Sequence, residues 1–550
     1  MQYIYAAAAI LVSSIVAPVV TLIALQYVQI SKVPCEIPWV DLRGKRWFPK
    51  LRANMHQFSI GRAALEEGWV KYGKHNKPFV LPGTNWPEIV LPPSNVHWIA
   101  TQPEHIISDI VVQDELLGID YFTHGPTSAS VHDFTPIRRD MTRQMGKVLP
   151  DVLDEISASF TEGFGTNTED WQEVLAIEKV ISTAHRAVNR VYVGLPSCRD
   201  QRYLTAAFRW EFSFAVTGAV FRQLIPHELK PLFGPIAAMP LACIKWLAIR
   251  RILPTIRERV RKLKADGISE KTSSDDEKPN DMLQWIIETN AQKSDPAELE
   301  PWNVAGKVLL LDLFATHTTS TTAGAALLDM LSYPTAAQLL AELREEADAV
   351  MPKLVSDPQA IRDMVKMDST IRETLRLHPM FAHGMMRQVV ARGGVTTPDG
   401  LYLPQGCNVS ASIVYPQMES CDNGQEYQPL RFYHQANGPA NPPPSMAATA
   451  EGIVDHQQTP QTAPTKQTMT VQISDQFLSF GLGKHACPGR FFAVQTLKLM
   501  LGYLVTHYDL EPLAERPKFD EIGEIRIPSA KTVLKVRRRE MELTEGDNGK

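Results

Sequence analysis

The chain has 550 residues, of which 44% are hydrophobic and 21% are charged, proportions that are ordinary for a globular protein. This composition excludes wholesale disorder, a collagen-like fibre and a protein with many membrane spans. The 56 basic and 61 acidic residues give a net charge of −5, which provides no electrostatic basis for binding nucleic acid. The six cysteines include no CxxC pair, which argues against a disulfide framework or a structural zinc site.

The N-terminal segment is predicted to be a membrane anchor. Residues 4–25 are almost wholly apolar, and no charged side chain occurs before Lys32. As a helix this stretch would measure about 33 Å, enough to cross a hydrocarbon core of about 30 Å. A cleaved signal peptide fits less well, because the start of the chain carries no basic residue and the apolar run is too long. Basic residues follow between Lys32 and Arg52, so the positive-inside rule places the body of the protein in the cytosol.

Helical patterns dominate the body of the chain, and short strand-like pieces occur at 79–90 and 388–412. No internal repeat is visible, which excludes solenoids and propellers. We therefore expect a mainly α fold with small β-sheets, in the α+β class.

Two segments, 265–281 and 434–476, have the composition of loose surface chain. The second is rich in proline, threonine, glutamine and alanine, and it can bury too little apolar surface to offset the entropy lost on ordering. We therefore predict a flexible insertion at about 434–476. Since neither segment separates two self-sufficient cores, the predicted organisation is an anchor at 1–31 and one large domain at 32–550.

One cysteine near the C-terminus stands in a distinctive setting, FGLGKHACPGR at 480–490. Pro488 suits the first turn of the apolar helix that follows, so the Cys487 sulfur is predicted at a helix N-terminus, where free N–H groups stabilise a thiolate. Phe480 supplies an apolar wall, and three glycines would let a flat group approach the backbone: Gly481, Gly483 and Gly489. A thiolate facing a planar cofactor is what haem iron with a cysteine ligand requires.

This segment resembles the haem-binding signature of the cytochrome P-450 superfamily, F-x-x-G-x-R-x-C-x-G, at Phe480, Gly483, Cys487 and Gly489. His485 stands where the family usually has an arginine that pairs with a haem propionate, and histidine can donate the same hydrogen bond. The resemblance implies a haem, iron protoporphyrin, whose iron is bound by the Cys487 thiolate. A dinucleotide-binding interpretation of the glycines is weak, because no strand–helix–strand unit follows them.

Two further elements resemble parts of the same family. Glu373 and Arg376 lie three positions apart on one predicted helical face and can pair. They match the family's E-x-x-R motif, and Arg431 in PLRF matches the arginine that completes a structural triad. By the same resemblance Arg387, in GMMRQVV, holds a haem propionate. His132, in VHDFTPIRRDMT, is the candidate for a second propionate donor, with Arg138 behind it.

A helix predicted at 303–333 carries a polar cluster, THTTSTT at 316–322, between strongly apolar flanks. An exposed threonine-rich face fits these flanks poorly, and mid-helix hydroxyls bond back to carbonyls four residues earlier. The cluster resembles the family's oxygen-activation motif, with Thr318 as its threonine and His317 in the place of its acid, as in many fungal members. Histidine could shuttle protons near neutral pH, or His317 could simply pack between helices.

The sequence is therefore identified as a member of the cytochrome P-450 superfamily, with that fold behind a single transmembrane helix. The resemblance implies a monooxygenase of the endoplasmic reticulum membrane that inserts one atom of O2 into a bulky lipophilic substrate, a terpenoid or another fungal secondary-metabolite intermediate. No flavin or NADPH module is visible, so electrons from NADPH arrive through a separate cytochrome P-450 reductase, with cytochrome b5 as a further candidate partner. Two alternatives remain: an isomerase or dehydratase of this fold that does not use O2, and a haem-binding sensor without enzymatic activity.

Overall fold

The computed structural model describes residues 30–42, 48–83, 87–123, 128–225, 227–266, 278–437 and 469–540, together with Ala24 and Val28. The helices among them are α1 Pro49–Lys71, α2 Val96–Thr101, α3 Ile110–Leu117, α4 Ile119–Phe122, α5 Ser128–Val131, α6 Thr142–Phe164, α7 Ala176–Tyr192, α8 Gln201–Leu224, α9 Lys230–Asp266, α10 Met282–Ala291, α11 Pro301–Leu331, α12 Ala336–Val350, α13 Val365–Leu377, α14 Val414–Glu419, α15 Arg431–Asn437 and α16 Arg490–His507. The strands are β1 Phe79–Leu81, β2 Glu88–Leu91, β3 Ile107–Ser108, β4 Gln172–Leu175, β5 His383–Val389, β6 Val395–Thr396, β7 Tyr402–Leu403, β8 Asn408–Ser412, β9 Tyr508–Leu510, β10 Phe519–Ile522, β11 Ile525–Pro528 and β12 Val533–Arg538.

Helix α11 forms the centre of the molecule, because most of its 31 residues are buried. It packs against α7, α9, α13 and α16, and the apolar side chains of these helices form the main core. The helix begins at Pro301, two residues before the predicted start, because proline suits the first turn, where a missing N–H costs nothing. The central position of α11 explains why its flanks are apolar on every side.

The strands form small sheets at the edge of the helical core. The largest has five strands in the order β1-β2-β8-β5-β3, with β8 parallel to β2 and antiparallel to β5. Strand β8 is buried along its whole length, as expected for a strand with neighbours on both sides. A second sheet has the order β4-β12-β9, so β12 near the C-terminus pairs with both β4 and β9. The predicted mainly α fold with small sheets is thereby confirmed.

Several sequence-based predictions fall outside the described residues. They are the membrane span at 4–25 apart from Ala24, the centre of the loose segment at 265–281, and the insertion at 434–476 apart from its two ends. Among the described residues one helix is long and apolar enough to cross a membrane, at Lys230–Ala265 within α9, and 33% of its most apolar window is buried.

Candidate active site

Cys487 lies in the turn that leads into α16. Its N–H donates to the carbonyl oxygen of Phe480 at 2.8 Å. Burial raises the pKa of the Cys487 thiol, while hydrogen bonds from the N–H groups of Gly489 and Arg490 to the sulfur oppose that rise. The prediction that Pro488 occupies the first helical turn is wrong. The first i→i+4 bond runs from the N–H of Ala493 to the carbonyl of Gly489, so α16 starts only after Pro488.

The glycines around Cys487 have different local roles. Gly483 has a φ of +73°, and a Cβ at this position would lie 2.6 Å from the carbonyl oxygen of Ala100 in α2. Its missing side chain therefore makes room for α2 and permits the left-handed turn. Gly489 has no atom within 4 Å of the position of an added Cβ, so open space borders the turn at this point.

Two of the predicted propionate donors, Arg387 and His485, meet at one acidic site. Nη1 of Arg387 donates to Oδ1 of Asp109 at 2.5 Å, and Nδ1 of His485 lies 3.2 Å from Oδ2 of the same carboxylate. Nε2 of His485 lies 2.8 Å from Oε1 of Glu104. Burial pushes the pKa of Asp109 upward, but the hydrogen bond with His485 and the charge of Arg387 outweigh it and hold that pKa below its ordinary value.

The other predicted propionate donor, His132, contacts a different carboxylate. Its Nε2 lies 2.8 Å from Oδ1 of Asp114, at a half-buried position. Arg138 makes the contact with the cysteine turn, since its Nη2 donates to the carbonyl oxygen of Lys484 at 3.2 Å. Of the two candidates, His132 and Arg138, the second is therefore the one tied to the turn that carries Cys487.

One stripe of α11 borders open space although the helix lies in the core. Phe314 and Ala315 are half-buried and Thr318 is exposed, and Thr322 follows one turn later. Their spacing of three and four residues places them on one helical face. The Thr318 hydroxyl donates to the Phe314 carbonyl at 2.7 Å, and Thr322 donates to the Thr318 carbonyl at 2.9 Å. The lone pairs of the Thr318 hydroxyl therefore remain available to a group in the open space.

His317, one position earlier, faces helix α8. Its Nε2 lies 3.3 Å from Oε2 of Glu211, and its ring centroid lies 5.0 Å from that of Phe208. These contacts join α11 to α8. They agree with the alternative prediction that His317 packs between helices. Its service as a proton shuttle stays a prediction.

The residues of the structural triad meet in a buried cluster. Glu373 receives two hydrogen bonds from Arg376, both 2.8 Å long, and one from Nε of Arg431 at 3.1 Å. The remaining guanidinium N–H groups donate to backbone carbonyls, among them that of Gly424 for Arg376 and that of Asp422 for Arg431. One carboxylate thus ties α13 to the start of α15 and to the loop between α14 and α15.

Comparison with known proteins identifies the family of this chain. The model of the cytochrome P450 family matches residues 225–536, more than half of the chain. The chain belongs to the cytochrome P450 family. Cytochrome P450 monooxygenase polB of Polytolypa hystricis is 30% identical over 533 residues, which cover 94% of this chain and 97% of the relative. Cytochrome P450 monooxygenase lnaC of Aspergillus flavus is 27% identical over 518 residues, 93% of this chain and 94% of the relative.

Membership confirms the predicted enzyme class and cofactor. As a cytochrome P450, the protein is a monooxygenase that uses a cysteine-ligated haem and receives electrons from a reductase. It therefore has a redox partner and a small-molecule substrate.

The residues described above fit a haem. Asp109 and Glu104 bind Arg387 and His485 as carboxylate acceptors, in the role that haem propionates would take. Open space borders both the cysteine turn at Gly489 and the Thr318 face of α11. A thiol that coordinates a metal is deprotonated outright, so the raised pKa of Cys487 in the metal-free protein does not oppose ligation.

Some contacts of this P450 were not found by sequence reasoning. Asp109 is separated from its partner Arg387 by 278 positions, and nothing in either local sequence indicates the pairing. The sequence offered a reason to prefer Arg138 to His132 as the propionate donor. Both lie in the same predicted helix, but the arginine side chain is longer and reaches further. The structure places its side chain 5.9 Å from the Phe134 ring as well as on Lys484.

Proposed function

We propose that this P450 binds its haem through Cys487, holds the propionates with Arg387 and His485, and oxidises a lipophilic substrate beside Thr318. The observation that carries the proposal is an accessible threonine hydroxyl in the middle of a helix whose other faces are buried. The haem, once bound, supplies the activation of O2 and the transfer of one oxygen atom. His132 and Arg138 are proposed as further contacts at the propionate side, and Phe480, Gly483 and Gly489 as the wall and turn around the thiolate.

Thr318 is proposed to control the delivery of protons to the reacting site. Its Oγ1 already donates to the Phe314 carbonyl, so it can accept a hydrogen bond from the reacting site. On rotation about Cβ–Oγ1, the same hydroxyl can donate its own hydrogen toward the site instead. His317 would hold this turn of α11 in place through Glu211 and Phe208.

Replacing Thr318 by alanine should separate oxygen use from product formation. We expect Thr318→Ala to keep the haem spectrum and substrate binding, while product formed per NADPH falls about tenfold, equivalent to about 1.4 kcal/mol. The electrons should appear in hydrogen peroxide, because proton delivery loses its positioned hydroxyl. Thr322→Ala removes an equivalent back-bonded hydroxyl one turn away and should leave the ratio of product to NADPH unchanged. Unchanged coupling in Thr318→Ala would show that Thr318 does not control proton delivery.

The substrate is proposed to be a bulky lipophilic molecule, a terpenoid or another fungal secondary-metabolite intermediate. Phe314 and Ala315, the half-buried residues four and three positions before Thr318, are apolar. Phe381, just before β5, is 41% exposed, and Met386 within β5 is half-buried. Apolar linings with few polar groups are typical of sites for such ligands.

Membrane attachment is proposed to involve two parts of the chain. Residues 1–31 would anchor the protein in the endoplasmic reticulum membrane, with the catalytic domain of residues 32–550 in the cytosol. Helices α8 and α9 pack together and expose a set of large apolar side chains: Phe212, Val216, Val220, Leu232, Phe233, Ile236, Met239, Trp246 and Leu247. Exposed apolar patches of this kind mark membrane or protein contacts. NADPH–cytochrome P-450 reductase in the same membrane is the proposed electron donor, with cytochrome b5 as a second candidate.

Deleting residues 1–31 should release the protein from membranes only in part and leave haem binding intact. Adding Ile236→Glu and Met239→Glu should lower the bound fraction about a further tenfold in vesicle flotation, because two exposed apolar contacts are lost. Val355→Glu changes an apolar residue that is 78% exposed elsewhere on the surface and should have no effect. Loss of haem absorption on deletion would contradict the division into anchor and domain.

A further inference from the structure

Where α7, α8 and α11 meet, two buried carboxylates, one buried imidazole and one partly exposed imidazole lie together. His185 comes from α7, Glu211 from α8, and Asp312 and His317 from α11. Glu211 and Asp312 are fully buried and His185 is 5% exposed. We call His185, Glu211 and Asp312 the interhelical cluster. One nitrogen or oxygen from each of the three lies within 4.8 Å of the others.

The separations within the interhelical cluster are longer than those of hydrogen bonds. Nε2 of His185 lies 3.4 Å from Oδ2 of Asp312 and 3.8 Å from Oε1 of Glu211. Among the described residues, neither Glu211 oxygen accepts a hydrogen bond, and Nε2 of His185 makes none. A buried carboxylate held only by the long contacts from His185 and His317 is costly, so this arrangement needs a physical reason.

Other histidine–carboxylate pairs in the structure behave differently. His132 and Asp114 approach to 2.8 Å, and His378 and Asp329 to 2.9 Å. Histidine and carboxylate can therefore reach direct contact in this protein, although His485 lies 3.2 Å from Asp109 and His317 lies 3.3 Å from Glu211. In the interhelical cluster one candidate ligand atom from each residue lies within 4.8 Å of the others, and Nε2 of His185 keeps 3.4 Å from Asp312 and 3.8 Å from Glu211.

One of those two separations matches the edge of a metal coordination shell, and the other exceeds it by about half an ångström. With bonds of about 2.0–2.1 Å, two ligands of a tetrahedral zinc ion lie about 3.3 Å apart. The distance from His185 to Asp312 fits this value, and Glu211 would move inward by about half an ångström. The charges agree as well, since two carboxylates and one divalent cation sum to zero in a buried site.

The surroundings hold the ligands as metal sites commonly do. Oδ1 of Asp312 accepts from the Thr316 hydroxyl at 2.7 Å, and Oδ2 accepts from the Asn189 amide at 2.8 Å. The second oxygen of Glu211 lies beside Nε2 of His317. Partners of this kind orient ligating carboxylates and raise metal affinity.

We propose that His185, Glu211 and Asp312 bind one divalent metal ion of the zinc class, with a fourth position open to water. Mixed imidazole and carboxylate ligands suit Zn²⁺ among the available divalent metals. In the metal-free protein, burial lowers the pKa of His185, but the contacts with Asp312 and Glu211 outweigh it and raise that pKa to about 10. The ion would displace this proton and tie together the three helices beside Thr318.

The test is the metal content of the full-length, haem-loaded protein, produced in zinc-supplemented medium with a tag that contains no histidine. We expect about one zinc per haem iron after dialysis, and X-ray absorption at the zinc edge should show only nitrogen and oxygen neighbours. Asp312→Asn and Glu211→Gln should each lower bound zinc about tenfold or more, while the haem absorption remains. Asp329→Asn, which changes the other buried aspartate of α11 beside a histidine, should leave the zinc content unchanged.

Dialysed wild-type protein with less than about a tenth of a zinc per iron would overturn the proposal. In that case the cluster holds only protons. Sulfur neighbours at the zinc edge, or full zinc retention in both ligand variants, would equally overturn it, because the ion would then lie elsewhere. If a ligand variant does not accumulate as a haem protein, X-ray absorption at the zinc edge of the wild-type protein still shows whether nitrogen and oxygen ligands bind zinc. The proposal does not depend on the substrate or on the role of Thr318.

Discussion

Cys487→Ser should abolish the long-wavelength absorption band that carbon monoxide gives with reduced, thiolate-ligated haem. The serine hydroxyl keeps the shape of the side chain but offers no thiolate, and the hydrogen bonds from Gly489 and Arg490 would meet an oxygen instead. We expect monooxygenase turnover to fall at least about 100-fold, because losing a supporting partner of a metal ligand already costs about 10–100-fold.

Cys407→Ser is the matched control for this experiment. Cys407 is buried, and burial raises the pKa of its thiol to about 12, but it lies directly before β8 in the sheet region. This variant should keep the carbon-monoxide band at full height. A normal band in Cys487→Ser would show that another residue binds the iron.

Glu373→Gln should strongly destabilise the protein. The substitution leaves the guanidinium groups of Arg376 and Arg431 buried without their shared carboxylate. Removing one partner of a buried ion pair costs about 3–5 kcal/mol in the free energy of unfolding, a large share of the about 5–15 kcal/mol available to a typical protein. We expect a loss of haem-loaded protein and a lower midpoint in thermal unfolding followed by haem absorption.

Glu67→Gln tests whether burial is the cause. Glu67 and Lys71 form a 2.8 Å pair on α1, the same length as the Glu373–Arg376 bonds, but on the surface. Exposed pairs contribute little, so this variant should unfold within a degree or two of the wild type. A Glu373→Gln protein as stable as Glu67→Gln would show that the triad does not hold the fold.

Much of the site was predictable because its parts are local. A cysteine between glycines ahead of an apolar helix, two residues three positions apart on α13, and threonines inside an apolar helix are all patterns that helix geometry and side-chain chemistry determine within one segment. The same locality explains the error at Pro488. Proline is allowed in a first helical turn, but only the hydrogen bond from Ala493 to Gly489 shows where the helix begins.

The sequence by itself determined the helix periods, the cysteine turn and the order of the family's motifs along the chain. Only the tertiary structure decided which distant side chains share a site. Asp109 meets Arg387 across 278 positions, and the interhelical cluster draws one residue from each of three helices. The physical reason is that a helix fixes neighbours three and four residues apart, whereas contacts between helices depend on how whole faces pack in the core. No local pattern around His185 or Glu211 indicates that their side chains face Asp312.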